Sequence, residues 1–288
     1  TFSSLRESAS SFAGGSIAVA NHVAGFAASV TLVCGLGGRE SHEDFIRSKL
    51  SPKVDPVFLT NPHARTLVKR RYIGEDLAKL FEVYFHDEDI ASPALSAAAC
   101  DWLQTHLRQF DAVIVPDFGN GFITGDMVQV LAERSPFLAV NTQLNSGNRG
   151  YHVITRYPRA DFVALNEPEL RMAAFDRSSE LPTLAQTMSA RMDCKHLAVT
   201  RGTQGVLVWD AGHQRKIAVP ALSTCVVDRI GAGDAFLALA GMGAAAGVDP
   251  EITAFIGSVG AALDVQIVCN RAAVSPVDFK KYATTLLK

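Results

Sequence analysis

Short apolar segments alternate with longer amphipathic segments along most of the chain. The short segments are rich in β-branched residues and predict buried strands at residues 29–34, 112–118, 137–143, 162–166 and 197–201. The longer segments, such as residues 92–110 and 124–133, carry apolar side chains at helical spacing. This alternation predicts right-handed crossovers, and therefore an α/β fold with a mainly parallel sheet and helices on both faces.

The segment 54–85 departs from this alternation. It contains three consecutive strand patterns, joined by Asn-Pro and by Gly-containing turns, at residues 57–60, 66–73 and 79–85. Such a run predicts a small β flap. We expect the flap to act as a lid on an α/β domain that residues 1–53 and 86–288 form.

A second group of short strand patterns lies in the C-terminal third of the chain. They predict antiparallel strands at residues 205–209, 216–220 and 225–227. The apolar stretch 235–248 follows and is rich in Gly and Ala. Because it is too short to span a membrane, it predicts a buried helix.

Composition narrows the possible functions. Hydrophobic residues make up 48% of the 288 residues, which is enough for a sizeable core and argues against disorder. The 27 basic and 29 acidic residues give a net charge of −2, so neither a nucleic-acid nor a membrane partner is indicated. The five cysteines are widely spaced, which predicts reduced core thiols in a cytoplasmic protein. Residues 1–13 lack a signal-peptide core, and without an opening strand the sequence is expected to begin inside a longer chain.

The segment 228–234, Asp-Arg-Ile-Gly-Ala-Gly-Asp, carries the clearest chemistry. It follows a predicted strand and opens the apolar helix. Small residues at Gly231, Ala232 and Gly233 let backbone N–H groups approach an anion, and the helix dipole favours negative charge there. The carboxylate of Asp234 would repel a phosphate in such a pocket unless it accepted a proton during transfer. The alternative is a Gly-rich turn with Asp234 as an ordinary helix cap.

This pattern before an apolar helix resembles the C-terminal signature of the ribokinase or PfkB carbohydrate kinases. The resemblance implies a ribokinase-like fold and ATP-dependent phosphorylation of a sugar hydroxyl, with Mg²⁺ and a monovalent cation as further cofactors. Asp234 would be the catalytic base. The anion hole would consist of Gly231, Ala232 and Gly233, and Asp228 would lie in the loop behind it as part of the cofactor site.

Two further motifs concern the sugar and the metal. Gly14 and Gly15 resemble the family's N-terminal Gly-Gly pair, which lets the backbone approach the sugar. Asn166 and Glu169 resemble its Asn-x-x-Glu motif, which implies that Asn166 contacts the nucleotide and that Glu169 organises Mg²⁺ through water. Found singly, the Gly-Gly pair is equally typical of a tight turn, and the Asn-x-x-Glu motif is equally typical of a helix start.

A further motif, Thr-Arg-Gly-Thr-Gln-Gly at 200–205, resembles the family's Thr-x-Gly-x-x-Gly nucleotide turn. It implies that Thr200, Gly202 and Gly205 contact the cofactor. Alone it is also typical of a hairpin turn. The order of the four motifs along the chain, however, is the order found in the family.

Within the family, the chain is most similar to the kinase part of bifunctional ADP-heptose synthases. The flap sequence around Lys69 and Arg71 and the segment 116–121, Pro-Asp-Phe-Gly-Asn-Gly, carry this resemblance. It implies a sugar phosphate as the acceptor, with Lys69 and Arg71 as contacts for the existing phosphate. A solvated strand face is the alternative for these basic residues.

Several positions depart from the family's pattern. Ala18 replaces a sugar-binding Asn, Asn120 replaces a Lys, and Arg229 replaces a Thr. Asn-Thr-Gln at 141–143 replaces Asp-Pro-Lys, and the family's first strand, with its substrate-contacting Asp, is not visible. These changes leave the phosphoryl-transfer motif intact but alter the predicted sugar site.

Two functions from different classes follow. The first is an active sugar kinase, which is expected to form a homodimer through the flap. The second is a nucleotide- or sugar-binding regulatory module with weakened catalysis. A dinucleotide oxidoreductase is disfavoured, because residues 35–40 fall short of G-x-G-x-x-G, and no Walker motif occurs.

Overall fold

The computed structural model describes residues 9–74, 79–87, 90–145, 148, 150–223 and 226–288. The strands in these ranges are β1 (Val30–Arg39), β2 (Val54–Arg65), β3 (Val68–Ile73), β4 (Lys79–Phe85), β5 (Val113–Asp117), β6 (Leu138–Thr142), β7 (Ala160–Asn166), β8 (Cys194–Thr200), β9 (Val206–Asp210) and β10 (Arg215–Val219). The helices are α1 (Ser16–Ala24), α2 (Glu43–Lys49), α3 (Pro93–His106), α4 (Gly125–Arg134), α5 (Glu167–Ala174), α6 (Leu181–Arg191), α7 (Ala232–Ala245), α8 (Pro250–Asp264) and α9 (Pro276–Leu286). Short 3₁₀ turns lie at Leu107–Gln109, Ile154–Arg156 and Gly202–Gln204.

A six-stranded sheet forms the centre of the fold, in the order β10-β9-β8-β7-β6-β5. Strands β5 to β8 are parallel, and β9 and β10 add an antiparallel edge. In β7, every residue from 160 to 165 is buried, as expected of a central strand covered on both faces. The predicted mainly parallel sheet is therefore confirmed.

Helices cover both faces of this sheet. Helices α3 to α6 contribute to the larger core, which includes Leu103, Leu131 and Met188. Helices α7 and α8 pack on the other face, where Phe236 and Ala254 contact the sheet. This arrangement brings the carboxyl ends of the parallel strands to one edge, where α/β folds place their sites.

The segment predicted as a three-stranded flap divides into two parts. Strand β2 pairs in parallel with β1 from Val54 beside Val30 to Asn61 beside Gly37, and after a shift of register Arg65 lies beside Arg39. Strands β3 and β4 form a separate antiparallel hairpin. The prediction of a turn at Asn-Pro was wrong, because Asn61 and the following proline lie inside the 12-residue strand β2. The proposed boundary between residues 53 and 54 thus falls at the start of a strand that pairs with the N-terminal segment.

Two other strand predictions differ from the structure. Strand β1 extends to Arg39 rather than ending at residue 34, because Gly37 lets the backbone of β2 approach where a side chain would clash. Of the strand predicted at 225–227, residue 225 lies outside the described residues. Val226 and Val227 are not in a strand, and the N–H group of Val227 donates to the carbonyl of Val265.

The cysteines that the structure describes are free thiols. Cys34, Cys100 and Cys194 are buried, whereas Cys269 is half-buried and so is not the core thiol that was predicted. The fifth cysteine, Cys225, lies outside the described residues. Over the described ranges, no helix combines the length and the apolar character needed to cross a bilayer.

A buried polar pair joins α1 to the end of α8. The imidazole Nε2 of His22 lies 3.5 Å from Oδ1 of Asp264, and both side chains are almost fully buried. The N–H group of Val274 donates to Nδ1 of His22, so the neutral imidazole carries its proton on Nε2, facing the carboxyl group. Neither oxygen of Asp264 has a hydrogen-bond partner among the described residues. Burial and the nearby charges of Asp234 and Asp228 raise the pKa of Asp264 to about 7.

Replacing Asp264 with asparagine should stabilise the protein more at pH 8 than at pH 5. The folded state holds a proton on Asp264 between about pH 4 and pH 7 that the unfolded state has lost, so wild-type stability falls as pH rises through this window. The gain from Asp264→Asn should be larger at pH 8 by about 3 kcal/mol. Chemical denaturation at both pH values measures it.

The matched control is Asp101→Asn, which changes an exposed carboxylate on α3. Its effect on the free energy of unfolding should be small and similar at the two pH values. An Asp264→Asn effect that is equal at pH 5 and pH 8 would contradict the buried, protonated carboxyl group.

Candidate active site

Helix α7 begins at a glycine turn that leaves its first N–H groups without a capping side chain. Gly231 has φ of 100° and caps the helix with no side-chain hydrogen bond. The first backbone bond of the turn runs from the N–H of Ala235 to the carbonyl of Gly231. The N–H groups of Ala232, Gly233 and Asp234 come earlier in the chain than the donor of this first helical hydrogen bond. A Cβ atom on Gly233 would meet nothing within 4 Å, so space for an anion lies above this turn.

The carboxyl group of Asp234 lies in the first turn of α7 and is half-buried. Loss of hydration raises its pKa to about 7, and the charge of Glu169 acts in the same direction. The cations Lys69 and Arg71 act in the opposite direction. A carboxyl group with a pKa near 7 suits a general base, since it can both exist as the carboxylate and hold an abstracted proton.

Two cations on one face of the β3–β4 hairpin, Lys69 and Arg71, act on the pKa of this carboxyl group. Lys69 is paired with Tyr84, and Arg71 is paired with Glu82 across the two strands. The guanidinium of Arg71 also forms an ion pair with Glu82. Burial lowers the pKa of Lys69, and the charge of Arg71 lowers it further. The structure thus brings both predicted phosphate contacts into the electrostatic neighbourhood of Asp234.

The loop behind the glycine turn is held by polar contacts. Burial by itself would raise the pKa of Asp228, but the N–H groups of Ile230 and Cys269 outweigh this effect and the net shift is downward. Both carboxylate oxygens of Asp228 are therefore engaged with the backbone. The structure shows a role in shaping the loop, and the cofactor contact predicted for Asp228 remains a prediction.

Two side chains that the sequence analysis missed stand directly behind Gly231. A Cβ atom on Gly231 would lie 2.7 Å from Oδ2 of Asp264 and 2.9 Å from Oδ1 of Asn270. Only glycine fits this position, because the space and the positive φ both exclude a side chain. The single carboxylate at the end of the otherwise apolar α8 was the available sequence signal for Asp264.

Gly14 and Gly15 lie close to this same region. Gly15 caps α1 with φ of 62°. A Cβ atom on Gly14 would lie 2.9 Å from Nδ2 of Asn270. The predicted sugar-binding glycines and the predicted anion hole therefore lie on opposite sides of one asparagine. Ala18, where the family pattern has asparagine, is buried in α1.

The motif at 166–169 forms the start of α5. The side chain of Asn166 accepts from the N–H of Glu169, and the carboxylate of Glu169 accepts from the N–H groups of Asn166 and Leu144. This capping box engages both oxygens of Glu169. Burial raises the pKa of Glu169 to about 7. Among the described residues, no cluster of three or more His, Cys, Asp or Glu could hold a metal ion.

The predicted nucleotide turn lies beside this motif. Thr200 is the cross-strand neighbour of Asn166 at the carboxyl ends of β8 and β7. Gly202 and Gly205 both have positive φ, and Gly205 passes so close to the backbone of Val219 that a side chain would clash. An open cleft at this edge is lined by Asn166, Thr200 and Gly202.

The other departures from the family pattern lie around this edge. Arg229 is exposed, and Asn120 is half-buried. Asn141 is used within the sheet, where its Nδ2 donates to the carbonyl of Ala164 at 2.7 Å. These substitutions leave the turn at the start of α7 unchanged.

A second buried carboxylate, Asp117, lies at the end of β5 within the recognised segment 116–121, but its hydrogen-bond network was not predicted. Asp117 accepts from Nη1 of Arg156 and from the hydroxyl of Tyr157, each at 2.8 Å, and Nε2 of His152 lies 3.1 Å away. Burial by itself would raise the pKa of Asp117, but these donors hold it below its usual value. The carboxylate fixes the loop that follows β5, which begins with Phe118.

Comparison with known proteins supports the resemblance seen in the sequence. The model of the pfkB family carbohydrate kinases matches residues 6–269. The bifunctional protein HldE of Koribacter versatilis is 25% identical over 274 residues, which are 92% of this chain and 53% of that protein. The D-beta-D-heptose 7-phosphate kinase of Bordetella bronchiseptica is 29% identical over 230 residues, or 78% of this chain and 69% of that protein. The chain spans about half the length of the bifunctional relatives.

Solved structures show the same fold at low sequence identity. Phosphofructokinase-2 from Escherichia coli is similar with a TM-score of 0.76 and 14% identity, over 96% of this chain and 88% of that one. Ribokinase from Thermotoga maritima has a TM-score of 0.71 and 15% identity, over 93% and 85% of the two chains. Since the family model covers most of the sequence and the fold agrees, this chain belongs to the pfkB family of carbohydrate kinases, which transfer a phosphoryl group from ATP to a sugar.

Proposed function

We propose that this kinase phosphorylates a hydroxyl group of a sugar phosphate similar to a heptose phosphate, with Asp234 as the base. The observation that carries the proposal is the position of Asp234 at an uncapped helix start, where the charges of Lys69 and Arg71 lower its pKa. The names of the relatives supply the acceptor class. ATP is the phosphoryl donor.

The transfer requires one proton acceptor and one anion site. The carboxylate of Asp234 takes the proton of the acceptor hydroxyl as that oxygen bonds to the γ-phosphorus. The bond from the γ-phosphorus to the bridging oxygen breaks, and ADP leaves with that electron pair. The N–H groups of Ala232 and Gly233, at the positive end of α7, stabilise the negative charge on the transferring phosphoryl oxygens.

The remaining motif residues hold the nucleotide. Asn166, Thr200 and Gly202 line an open cleft where β7 and β8 end, and Gly205 follows in the same turn. Because both oxygens of Glu169 accept backbone hydrogen bonds, its contribution to Mg²⁺ binding would run through water. Mg²⁺ would offset the charge of the nucleotide phosphates. The monovalent cation and the cytoplasmic location remain predictions.

The existing phosphate of the acceptor is assigned to Lys69 and Arg71. Both are on the face of the hairpin that is turned to Asp234. Arg71 is already paired with Glu82, so a phosphate there would share the guanidinium or replace the carboxylate. Lys69 is the more available contact, and its lowered pKa reflects a partly desolvated ammonium that an anion would stabilise.

Asp234→Asn should abolish turnover while keeping ATP binding. The amide has the same shape but cannot accept the proton, so kcat should fall by about 10²- to 10⁴-fold. Turnover with Mg²⁺ and ATP is measured against a panel that includes heptose 7-phosphate, heptose, fructose 6-phosphate and ribose. Asp278→Asn, in the first turn of α9, is the matched control and should retain wild-type activity.

The panel separates kinase from regulatory module. Wild-type protein that binds ATP but phosphorylates no member of the panel would favour a regulatory module. An Asp234→Asn enzyme with wild-type kcat would remove Asp234 from the mechanism. Faster turnover of heptose 7-phosphate than of heptose would support a sugar phosphate as the acceptor.

The pH dependence should report the charge balance around Asp234. Since the base acts when deprotonated and its pKa is about 7, kcat/KM should rise with pH and level off above that value. Lys69→Met removes a cation that lowers this pKa. The acid limb of the profile, where kcat/KM rises with pH, should therefore move to higher pH. Lys69→Arg keeps the charge and should leave the limb near its wild-type position. An unchanged limb in Lys69→Met would show that Lys69 does not act on the base.

The homodimer is proposed through the outer face of the β3–β4 hairpin. The face opposite Lys69 and Arg71 exposes aromatic rings together with Arg70, and Tyr72 and Phe81 stack there with ring centroids 4.4 Å apart. Val83 and Phe85 extend the exposed face. Contiguous exposed apolar residues of this kind are typical of an association surface.

Phe81→Glu should convert the dimer to a monomer. A buried carboxylate at the centre of the interface would lack a partner and would cost several-fold or more in association. Light scattering coupled to size exclusion at about 10 µM protein measures the mass. Val277→Glu, which alters an exposed apolar residue on α9, is the control and should remain dimeric. A wild-type monomer at this concentration would contradict the proposal.

A further inference from the structure

Phe118 lies between the two groups of residues that are assigned to the acceptor. A Cβ atom on Gly15 would lie 3.3 Å from Cε2 of Phe118, so the ring packs against the backbone of the Gly-Gly turn. The ammonium of Lys69 lies 5.9 Å from the centroid of the same ring. The side chain is half-buried and so keeps part of its surface open. An acceptor that reaches from Gly15 to Lys69 must therefore pass along the ring of Phe118.

The ammonium of Lys69 is also held by a second ring. It lies 4.9 Å from the centroid of Tyr84, its cross-strand neighbour. Two aromatic rings within about 6 Å of one cation favour a defined position for that cation. Phe118, on the loop after β5, thereby fixes the position of the Lys69 ammonium relative to the Gly-Gly turn.

The backbone of Phe118 is held by two asparagine side chains. Its carbonyl oxygen accepts from Nδ2 of Asn145 at 3.1 Å and from Nδ2 of Asn148 at 3.2 Å. The next residue, Gly119, has φ of 64°, and a Cβ atom there would lie 2.8 Å from the ring of His152. The N–H of Gly119 donates to the carboxylate of Asp117. The loop is therefore fixed on both sides of Phe118.

The buried carboxylate of Asp117 completes this support. It is 3% exposed and accepts from Arg156, Tyr157 and the backbone of Gly119. Such a fully engaged carboxylate makes a rigid support, because loss of any one donor leaves charge without compensation. This network carries no group to the predicted reaction centre. Its structural effect is the position of Phe118.

We infer that Phe118 is a specificity-determining residue, whose ring forms one wall of the acceptor site and selects a phosphorylated sugar long enough to span from the Gly-Gly turn to Lys69. The inference rests on the proposed function. The C–H groups of a sugar ring pack on the aromatic face, and the phosphate at the far end reaches Lys69. Tyr157, Arg156 and the two asparagines act as positioning residues through Phe118.

The experiment measures acceptor binding and turnover separately. Calorimetric titration with heptose 7-phosphate gives the Kd for each variant, and steady-state kinetics gives KM for the acceptor and for ATP. Phe118→Ala should weaken acceptor binding by about tenfold, with KM for ATP unchanged. Phe118→Tyr keeps the ring and should stay within about twofold of wild type. Phe118→Leu keeps bulk without the aromatic face and should fall between them.

A second variant tests the support of the loop. Tyr157→Phe removes one donor to Asp117 and should weaken acceptor binding by about threefold. In the double variant with Phe118→Ala, this second loss should disappear, because Tyr157 acts only through the ring. Titration with inorganic phosphate should give the same Kd for Phe118→Tyr and wild type, since an aromatic ring still lies beside the ammonium of Lys69.

The outcomes are distinguishable. If Phe118→Ala and Phe118→Leu bind heptose 7-phosphate as tightly as wild type, or if they raise the KM values for ATP and acceptor equally, the inference is wrong. If wild type does not bind heptose 7-phosphate, the assigned acceptor class fails, and Phe118 as its wall fails with it. Binding without turnover in wild type would overturn the proposed kinase reaction and leave the role of Phe118 in recognition intact. If Phe118→Ala does not fold, Phe118→Leu and Phe118→Tyr still give the comparison.

Discussion

The proposed reaction depends on one carboxylate at the start of a helix where, in the same proposal, an anion also binds. Desolvation and the charge of Glu169 raise the pKa of Asp234, while Lys69 and Arg71 lower it. Without the cations the base would remain protonated near neutral pH, and without the desolvation it would be a weak base. The β3–β4 hairpin therefore contributes, through Lys69 and Arg71, to the proposed proton chemistry at Asp234. Because these cations lie on a separate hairpin, the balance changes whenever that hairpin moves.

The glycine turn can present its N–H groups outward only because polar groups behind it fill the remaining space. Asp228 accepts hydrogen bonds from the backbone N–H groups of Ile230 and Cys269, and the space that a side chain of residue 231 would need is occupied by Asp264 and Asn270. Two carboxyl groups so close to an anion hole would oppose phosphate binding if both were charged. The raised pKa of Asp264 reduces this repulsion near neutral pH. The turn thus leaves its N–H groups uncapped on one side, while polar side chains fill the space on the other.

Local features of the fold and of the site could be predicted from the sequence, and contacts between distant segments could not. The strand patterns before Asn166 and Thr200 located the sheet edge, and the small residues at 231–233 located the helix start, because each signal lies within a few residues. The parallel pairing of β1 with β2 was missed, since nothing in a single sequence shows which strands pair. The Asn-Pro pair predicts a turn, but Asn61 lies within strand β2, and its side-chain Nδ2 donates to the carbonyl of Ile90. Phe118 was part of a recognised motif, but its contacts with Gly15 and Lys69 join segments far apart in the chain.

The two-residue period of β3 and β4 joins two functions in one hairpin. Alternate side chains point to opposite faces, so Lys69 and Arg71 face the carboxylate while Tyr72 and Phe81 face outward. A slip of one residue in the pairing would exchange these faces and put aromatic rings beside Asp234. The ion pair between Arg71 and Glu82, which are direct cross-strand partners, opposes such a slip because it forms only in this register. Any partner that covers the aromatic face therefore also fixes the position of the cations that set the pKa of the base.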